Sequence, residues 1–197
     1  MAKDGYHHGD LANALVEAAL KVVETEGVEA VSIRDLAAQI GVSRAAPYRH
    51  FEDRDALLAA VALKGFEALG DIYQSAADGP GDGRARLRES MRRYIAFATQ
   101  HPRLHSLMFQ AGVLAPSSKP PGLAGAAAER TYEVLWATLR GAYPHADEAW
   151  LKKKRTTMLS SVVGFLVLDE GGRFPAEWAA PLTRDDLIEA VLDAAVG

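Results

Sequence analysis

The residues best suited to contacting another molecule lie in one short, acid-free stretch. Residues 36–51 contain no Asp or Glu, and they carry Arg44, Arg49 and His50. A guanidinium can donate two hydrogen bonds to the O6 and N7 atoms of guanine, and an alanine methyl can pack against the methyl group of thymine. The side chains of Arg44, Ala45 and Ala46 are therefore suited to contacting base edges in the major groove of DNA.

Polar side chains around this run are suited to phosphate oxygens, which orient a protein on DNA without specifying its sequence. They are Ser43, Tyr48 and His50, together with Arg34 before the run and Arg54 after it. Arg54 opens a predicted helix, whose N-terminal dipole also attracts phosphate. Other interpretations are open from sequence: Tyr48 as a half-buried core aromatic, Arg34 as the partner of nearby acids, and residues 45–47 as plain turn residues.

The elements that would position these residues form a helix-turn-helix pattern. Apolar residues at steps of three and four predict a helix over residues 10–26, which Gly27 ends. A second, short helix is predicted between an N-cap at Ser32 and a C-terminal Gly41. Only two residues separate Gly41 from the next helical residues, and such a tight, glycine-containing link is typical of helix-turn-helix units.

A third helix is predicted from Ser43, its N-cap, with Pro47 at the edge of the first turn, where a proline weakens a helix without forbidding it. A longer helix begins near Asp53. The Gly- and Pro-rich stretch SAADGPGDGRA, residues 75–85, then predicts a linker.

Helical patterns continue to the end of the chain. Helices are predicted over residues 84–99, 101–114, 123–142, 147–170 and 182–196. No segment shows the alternation of a strand. The predicted fold is all-α with about nine helices: a three-helix head over residues 9–69 and a larger helical body over residues 70–197.

Composition limits the classes of protein to consider. The 197 residues carry a net charge of −4, and residues 1–69 alone hold 7 Lys and Arg against 11 Asp and Glu. Attraction to DNA must therefore come from a narrow surface, because charges more than roughly 8 Å apart are largely screened at about 0.15 M salt. The absence of cysteine excludes disulfides, thiolate metal sites and thiol redox sensing.

The sequence predicts neither a membrane segment nor an enzyme. The longest apolar stretch, residues 158–168, is far shorter than the roughly 20 residues that cross a bilayer, and residues 1–11 lack a secretory apolar core, so a cytoplasmic protein is expected. His101 and His105 have the i, i+4 spacing of zinc ligands but no third ligand or base. We find no nucleophile with a base and no phosphate loop, and we predict no metal or other cofactor.

A known family has the same residues at many of these positions. The run AALKVVETEGVEAVSIRDLAAQIGVSRAAPYRHFEDRDALLAAV carries the match through Gly27, Ser32, Arg34, Leu36, Ala37, Gly41, Val42, Ser43, Tyr48, His50, Phe51 and Leu57. About the first 69 residues resemble the DNA-binding head of the tetracycline-repressor (TetR) family of bacterial transcriptional regulators. The opening YHHGDL is similar to a branch whose C-terminal half often has Trp followed by His-Gly. The corresponding SSVVGFLVLDEGGRF keeps Gly164 and has neither Trp nor His.

The resemblance implies a homodimer that binds a palindromic double-stranded DNA operator and is released when a small molecule enters the body. In the family the last two long helices usually pair into a four-helix bundle between subunits. The residues we expect at this seam are Leu159, Val162, Val163, Leu166, Leu187, Ile188 and Val191. The side chains we expect near the small molecule are Tyr94, Phe97, His101, His105, Met108, Phe109, Tyr132, Trp136 and Met158.

Alternatives to a ligand-released repressor follow from the same residues. An activator, or a regulator that responds to a partner protein, has the same sequence features. Core packing within one subunit also explains most apolar positions of the body. A helical-bundle enzyme or small-molecule-binding protein without a role on DNA is the alternative from another class.

Overall fold

The structure is a computed structural model that describes residues 8–109, 123–170 and 180–197, with side chains from residues 11–109, 128–170 and 180–197. These ranges form α-helices and two 3-10 turns, and they contain no strand. The helices are α1 (His8–Glu26), α2 (Ile33–Ile40), α3 (Arg54–Ala77), α4 (Gly83–Gln100), α5 (Pro102–Met108), α6 (Leu123–Ala142), α7 (Glu148–Glu170) and α8 (Arg184–Val196). The all-α prediction is confirmed, and the eight helices described come close to the predicted nine.

Side-chain caps define several helix starts. The Asp53 carboxylate accepts a hydrogen bond from the Ala56 N–H at 2.8 Å, which begins α3 where the sequence predicts. Thr183 and Asp186 form a reciprocal capping box, and α8 therefore starts at Arg184 rather than at residue 182. The predicted linker is confirmed, because α3 ends at Ala77 and α4 starts at Gly83.

The chain divides into two compact units. The first comprises the described residues of Met1–Glu67 and His101–Ala128, and the second comprises those of Ala68–Gln100 and Glu129–Gly197. The first unit therefore contains α5 in addition to the predicted head.

The core of the first unit brings together the apolar faces of its helices. Leu15 of α1, Ala37 of α2 and Leu57 of α3 have no exposed surface. At roughly 25 cal/mol per Å² of apolar surface, each fully buried leucine stabilises the fold by about 1.5 to 3 kcal/mol.

Helix α5 packs closely within the first unit. A side chain on Gly65 of α3 would place its Cβ 2.5 Å from the Met108 Sδ atom, so a larger residue there would require the Met108 side chain to move. At the other end of α5, the Arg103 guanidinium donates to the Glu24 carbonyl at 2.9 Å. His101 Nδ1 lies 2.5 Å from a Glu24 carboxylate oxygen. Helix α5 is thus bonded to the last turn of α1.

The second unit combines an aromatic core with surface ion pairs. Tyr73 and Tyr94 pack edge to face with their centroids 6.2 Å apart, and burial raises the pKa of both hydroxyls, which keeps them protonated. On its surface, Arg88 of α4 contacts Glu189 and Asp193 of α8, each at 2.6 Å. Arg184 of α8 contacts Asp169 of α7 at 2.6 Å.

Candidate nucleic-acid interface

Helix α2 has well-defined ends that present the following turn. Ser32 Oγ accepts a hydrogen bond from the Asp35 N–H at 3.4 Å. At the other end, Gly41 has a φ of 82°, and the N–H of Val42 donates to the Ala37 carbonyl at 3.0 Å. These are features of a Schellman motif, which requires the left-handed conformation that glycine adopts without steric cost.

The segment that follows α2 is not the α-helix that the sequence predicts. The segment is a series of turns that ends in a 3-10 turn over Pro47–Arg49. The N–H of Ala46 donates to the Ser43 carbonyl, and the N–H of Arg49 donates to the Ala46 carbonyl, so both bonds span three residues. Pro47 has no N–H with which to continue an α-helical ladder, which accounts for the tighter turn. The Ser43 N-cap is therefore not formed, and the buried Pro47 anchors the segment to the unit.

Most residues predicted to contact DNA lie on the surface. Arg34, Ser43, Arg44 and Ala45 are exposed, and Ala46 and His50 are half-buried. Tyr48 is 57% exposed, which rules out the alternative that it is a half-buried core aromatic. An aromatic side chain this exposed is available for contact with a partner.

Three arginines of the first unit have no side-chain partner among the described residues. Within the described ranges, Arg34, Arg44 and Arg49 form no hydrogen bond or ion pair through their side chains, which rules out the pairing of Arg34 with nearby acids. We call Arg34, Arg44, Tyr48 and Arg49 the arginine surface. Arg49 was absent from the predicted contacts, although its place in the acid-free run was a sufficient signal.

Arg54, which is also predicted to contact DNA, forms hydrogen bonds within the first unit. Its Nε donates to the Val31 carbonyl at 3.0 Å, and its Nη2 donates to the Val28 carbonyl. The Glu29 carboxylate lies 3.7 Å away. The guanidinium thus joins the start of α3 to the connection between α1 and α2, and its contact with phosphate stays a prediction.

The comparisons with known families agree with this arrangement. The profile of "Bacterial regulatory proteins, tetR family" matches residues 15–61, which include α2 and the arginine surface. The profile of "Tetracyclin repressor-like, C-terminal domain" matches residues 87–195, more than half of the chain. The chain belongs to the TetR family of transcriptional regulators. The Trp-His-Gly branch stays a prediction, and residues 171–174, which bear on it, lie outside the described ranges.

Individual relatives of this TetR-family protein have partial or distant similarity. It is 30% identical over 109 residues to the HTH-type transcriptional repressor DrrR1 of Streptomyces coeruleorubidus, covering 53% of this chain and 37% of that protein. It is 32% identical over 103 residues to the nucleoid occlusion factor SlmA of Vibrio campbellii, covering 49% of this chain and 53% of that protein. A solved structure of a protein of unknown function from Rhodococcus sp. RHA1 has a TM-score of 0.79 at 26% identity, covering 98% and 97% of the two chains.

The nine residues predicted near a small molecule are divided between the two units of this TetR-family protein. His101, His105, Met108 and Phe109 belong to the first unit, and Tyr94, Phe97, Tyr132, Trp136 and Met158 belong to the second. Tyr94, Phe97, Met108 and Met158 are buried, His105 is 9% exposed, and Phe109 is 40% exposed. Burial lowers the pKa of the His105 imidazole, which disfavours its charged form.

A groove that the prediction omitted lies within the second unit. It has a volume of about 480 Å³ and is bordered by Gln74, Arg86, Glu133, Val134 and Thr138 among others. Small-molecule sites typically have volumes of about 300 to 1,000 Å³. Its lining residues come from α3, α4 and α6, and no pattern in the sequence joins them.

The residues predicted at a dimer seam fall into two groups. Leu159, Val163, Leu187, Ile188 and Val191 are half-buried. Val162 and Leu166 are only 0% and 7% exposed, so they pack in the core of the single chain. Val167 and Leu168, which the prediction omitted, are 47% and 41% exposed on α7.

Neither a metal cluster nor a membrane span occurs in the described part of the chain. Among these residues, no three His, Asp or Glu side chains are grouped as a metal ion would require. Within the same ranges, no helix combines the length and the apolar character needed to cross a membrane.

Proposed function

We propose that this DNA-binding transcriptional regulator of the TetR family is a repressor that binds a palindromic operator as a homodimer and is released by a small molecule. The observation that carries the proposal is the arginine surface: Arg34, Arg44 and Arg49 are exposed and have no internal partner within the described ranges, and Tyr48 is exposed as well. Repressor activity in the similar DrrR1 supports the direction of regulation.

Roles on DNA follow from side-chain chemistry. Arg44 donates two hydrogen bonds to one guanine, and Ala45 and Ala46 keep the backbone near the base edges. Tyr48 and Arg49 contact phosphates and set the register. Because the segment ends in a 3-10 turn anchored by the buried Pro47, its backbone is already ordered, and binding restricts mainly the side chains.

Acidic residues near the arginine surface affect how the protein discriminates between DNA sequences. Acidic side chains such as Glu52, Asp53 and Asp55 follow the arginine surface closely in sequence. They weaken general attraction to DNA, because affinity for any sequence depends on how many phosphates the protein neutralises. Discrimination therefore depends on an operator whose two halves fit both subunits at once.

The dimer uses α7 and α8. Support comes from the exposed Val167 and Leu168 and from the half-buried apolar residues on both helices. Association through these side chains would remove apolar surface from water. Val167→Asp with Leu168→Asp should shift the sedimentation of the full chain from dimer to monomer, whereas Lys153→Asp, at an exposed polar position of α7, should not. A dimer that survives the double change would place the interface elsewhere.

A small molecule acts through the second unit. The half-buried Tyr132 and Trp136 and the groove of about 480 Å³ supply apolar surface and polar groups of the kind that such sites contain. Regulation by binding, without catalysis, suits a family of transcriptional regulators.

Selection from a random pool of double-stranded DNA tests the function. We expect the full chain to enrich a palindrome and its affinity to fall steeply as salt is raised. Arg49→Gln should reduce the slope of log affinity against log salt by about 1 for each phosphate that the guanidinium neutralises. Lys21→Gln, which removes an exposed positive charge from α1, is the matched control. Enrichment of no sequence, or affinity indifferent to salt, would contradict the proposal.

A further inference from the structure

Five arginines of the second unit illustrate two kinds of bonding. Arg88, Arg92 and Arg184 each have a carboxylate oxygen at 2.6 Å. Arg140 of α6 and Arg155 of α7 form no hydrogen bond or ion pair among the described residues. Carboxylate partners explain the first three as part of the fold, and they leave Arg140 and Arg155 unexplained.

Arg140 and Arg155, which have no hydrogen bond or ion pair among the described residues, share one aromatic ring. The Cζ atoms of Arg140 and Arg155 lie 5.2 Å and 5.0 Å from the centroid of the Trp136 ring. Since both are near the same centroid, the two guanidinium carbons lie at most about 10 Å apart. We call Trp136, Arg140 and Arg155 the arginine–tryptophan cluster. It places two positively charged groups at one aromatic ring.

Two neighbouring groups interact electrostatically with the arginines of the cluster. The Glu148 carboxylate is bonded to Lys152 at 2.8 Å. This hydrogen bond from Lys152 is the main cause that lowers the pKa of Glu148, and the charge of Arg140 contributes without forming an ion pair. Burial raises the pKa of the Tyr132 hydroxyl on α6. The nearby positive charge of Arg155 offsets part of this increase. Tyr132 thus adds a neutral hydroxyl beside Arg155.

Burial gives the cluster partial shelter from water. Arg140 is exposed, and Arg155, Trp136 and Tyr132 are half-buried. A guanidinium presents a planar fork of N–H donors that matches carboxylate and phosphate oxygens, and stacking on an aromatic face holds that fork without using its donors. The donors of both arginines are therefore available to an oxyanion.

We propose that the arginine–tryptophan cluster is a binding site for a dianionic oxyanion, carried by a ligand as a phosphate or as a dicarboxylate. Two guanidiniums match two negative charges, and charge-assisted hydrogen bonds to such groups are about twice as strong as neutral ones. A role of the cluster as the effector site rests on the proposed function. Binding of a dianion by the cluster does not depend on that function.

Calorimetric titration of the full chain, without DNA, tests the site with sodium phosphate and with disodium succinate. Sodium chloride at the same ionic strength corrects for screening. We expect saturable binding of at least one of the two dianions, and the pair of titrations distinguishes a phosphate from a dicarboxylate ligand. Arg140→Gln and Arg155→Gln should each weaken it by about tenfold, the scale of one hydrogen bond between charged groups.

The matched control removes another exposed arginine of α6. Arg130→Gln should leave the dissociation constant within about twofold, because Arg130 lies ten residues, or about 15 Å along the helix axis, from Arg140, and charge at that distance is largely screened. Arg140→Lys and Arg155→Lys keep the positive charge but lack the planar fork of donors, so they should also weaken binding. They replace the glutamine variants in the titration if a glutamine variant does not fold. No saturable binding of either dianion, or equal weakening by the control, would overturn the site.

Operator binding measured without phosphate or succinate tests the regulator independently. A chain that binds the operator and neither dianion would contradict only the anion site. A chain that binds a dianion and no DNA would contradict only the proposed function.

Discussion

Three arginines of each unit show opposite bonding. Arg34, Arg44 and Arg49 of the first unit have no side-chain partner within the described ranges, whereas Arg88, Arg92 and Arg184 of the second unit are bonded to carboxylates. The bonded residues connect α4, α7 and α8, which are helices distant in sequence. An exposed arginine whose donors are already used contributes to the fold, and one whose donors are free is available to a ligand.

Residue number alone does not separate these classes. Arg54 follows the arginine surface closely in sequence, but its donors bond the backbone carbonyls of Val28 and Val31. Arg140 and Arg155 belong to the second unit and yet have free donors over Trp136. The partner of each guanidinium, not its position in the chain, therefore indicates its role.

The largest effect should come from Arg54. We expect Arg54→Ala to lower the free energy of unfolding by about 2 to 3 kcal/mol, because two carbonyls are deprived of a charged donor. Urea denaturation measures this decrease. Arg54→Lys keeps the charge and lacks the fork, so it should be nearly as unstable. If Arg54→Lys were as stable as the unaltered chain, the carbonyl bonds would not be the main role of Arg54.

Arg44 should behave in the opposite way. Arg44→Ala should weaken operator binding by about 1 to 3 kcal/mol and relax the preference at one base position. Its unfolding free energy should stay within about 0.5 kcal/mol, since the arginine forms no bond within the described ranges. Fluorescence anisotropy with operator and scrambled DNA measures the effect. Equal weakening on both DNAs would make Arg44 a phosphate contact.

Arg88 should affect stability alone, and weakly. Arg88→Gln should lower the unfolding free energy by about 0.2 to 1 kcal/mol, the range for exposed ion pairs, and 1 M salt should reduce the difference. Arg88 and Arg92 lower the pKa of Glu189, so the stabilisation is present above the ordinary pKa of glutamate and is lost as pH falls below it. A change in operator affinity would contradict the division between the two classes.

The smallest effect concerns pH and the first unit. Burial lowers the pKa of His105, so the unfolded chain binds a proton more readily than the folded one near the ordinary histidine value of about 6.5. Stability should therefore fall as pH is lowered from 7 to 5, and His105→Phe should reduce that fall. Thermal melts across this range measure it, with the exposed His145→Gln as control. An unchanged slope in His105→Phe would assign the titration to other groups.

Local signals predicted much of the fold. Gly41, Ser32 and Asp53 mark helix ends through backbone and side-chain bonds that span only a few residues. The linker before α4 is likewise visible in its glycines. Such features depend on neighbouring residues, so they can be read from the sequence.

Other features of the structure were not predicted, mainly because they depend on contacts between residues distant in the sequence. The predicted third α-helix was wrong for a local reason, because Pro47 has no N–H with which to continue an α-helix. Nothing in the sequence indicates that Arg54 bonds Val28 and Val31, or that Arg155 stacks on Trp136. These contacts join residues brought together by helix packing.

By itself, the sequence determined the all-α fold, the short helix before an acid-free turn and the resemblance to the TetR family, because periodicity, caps and local charge are properties of neighbouring residues. Only the tertiary structure decided which arginines keep their donors free. That outcome depends on whether packing brings a carboxylate or a carbonyl within about 3 Å of a long, flexible side chain, a distance that no sequence spacing specifies.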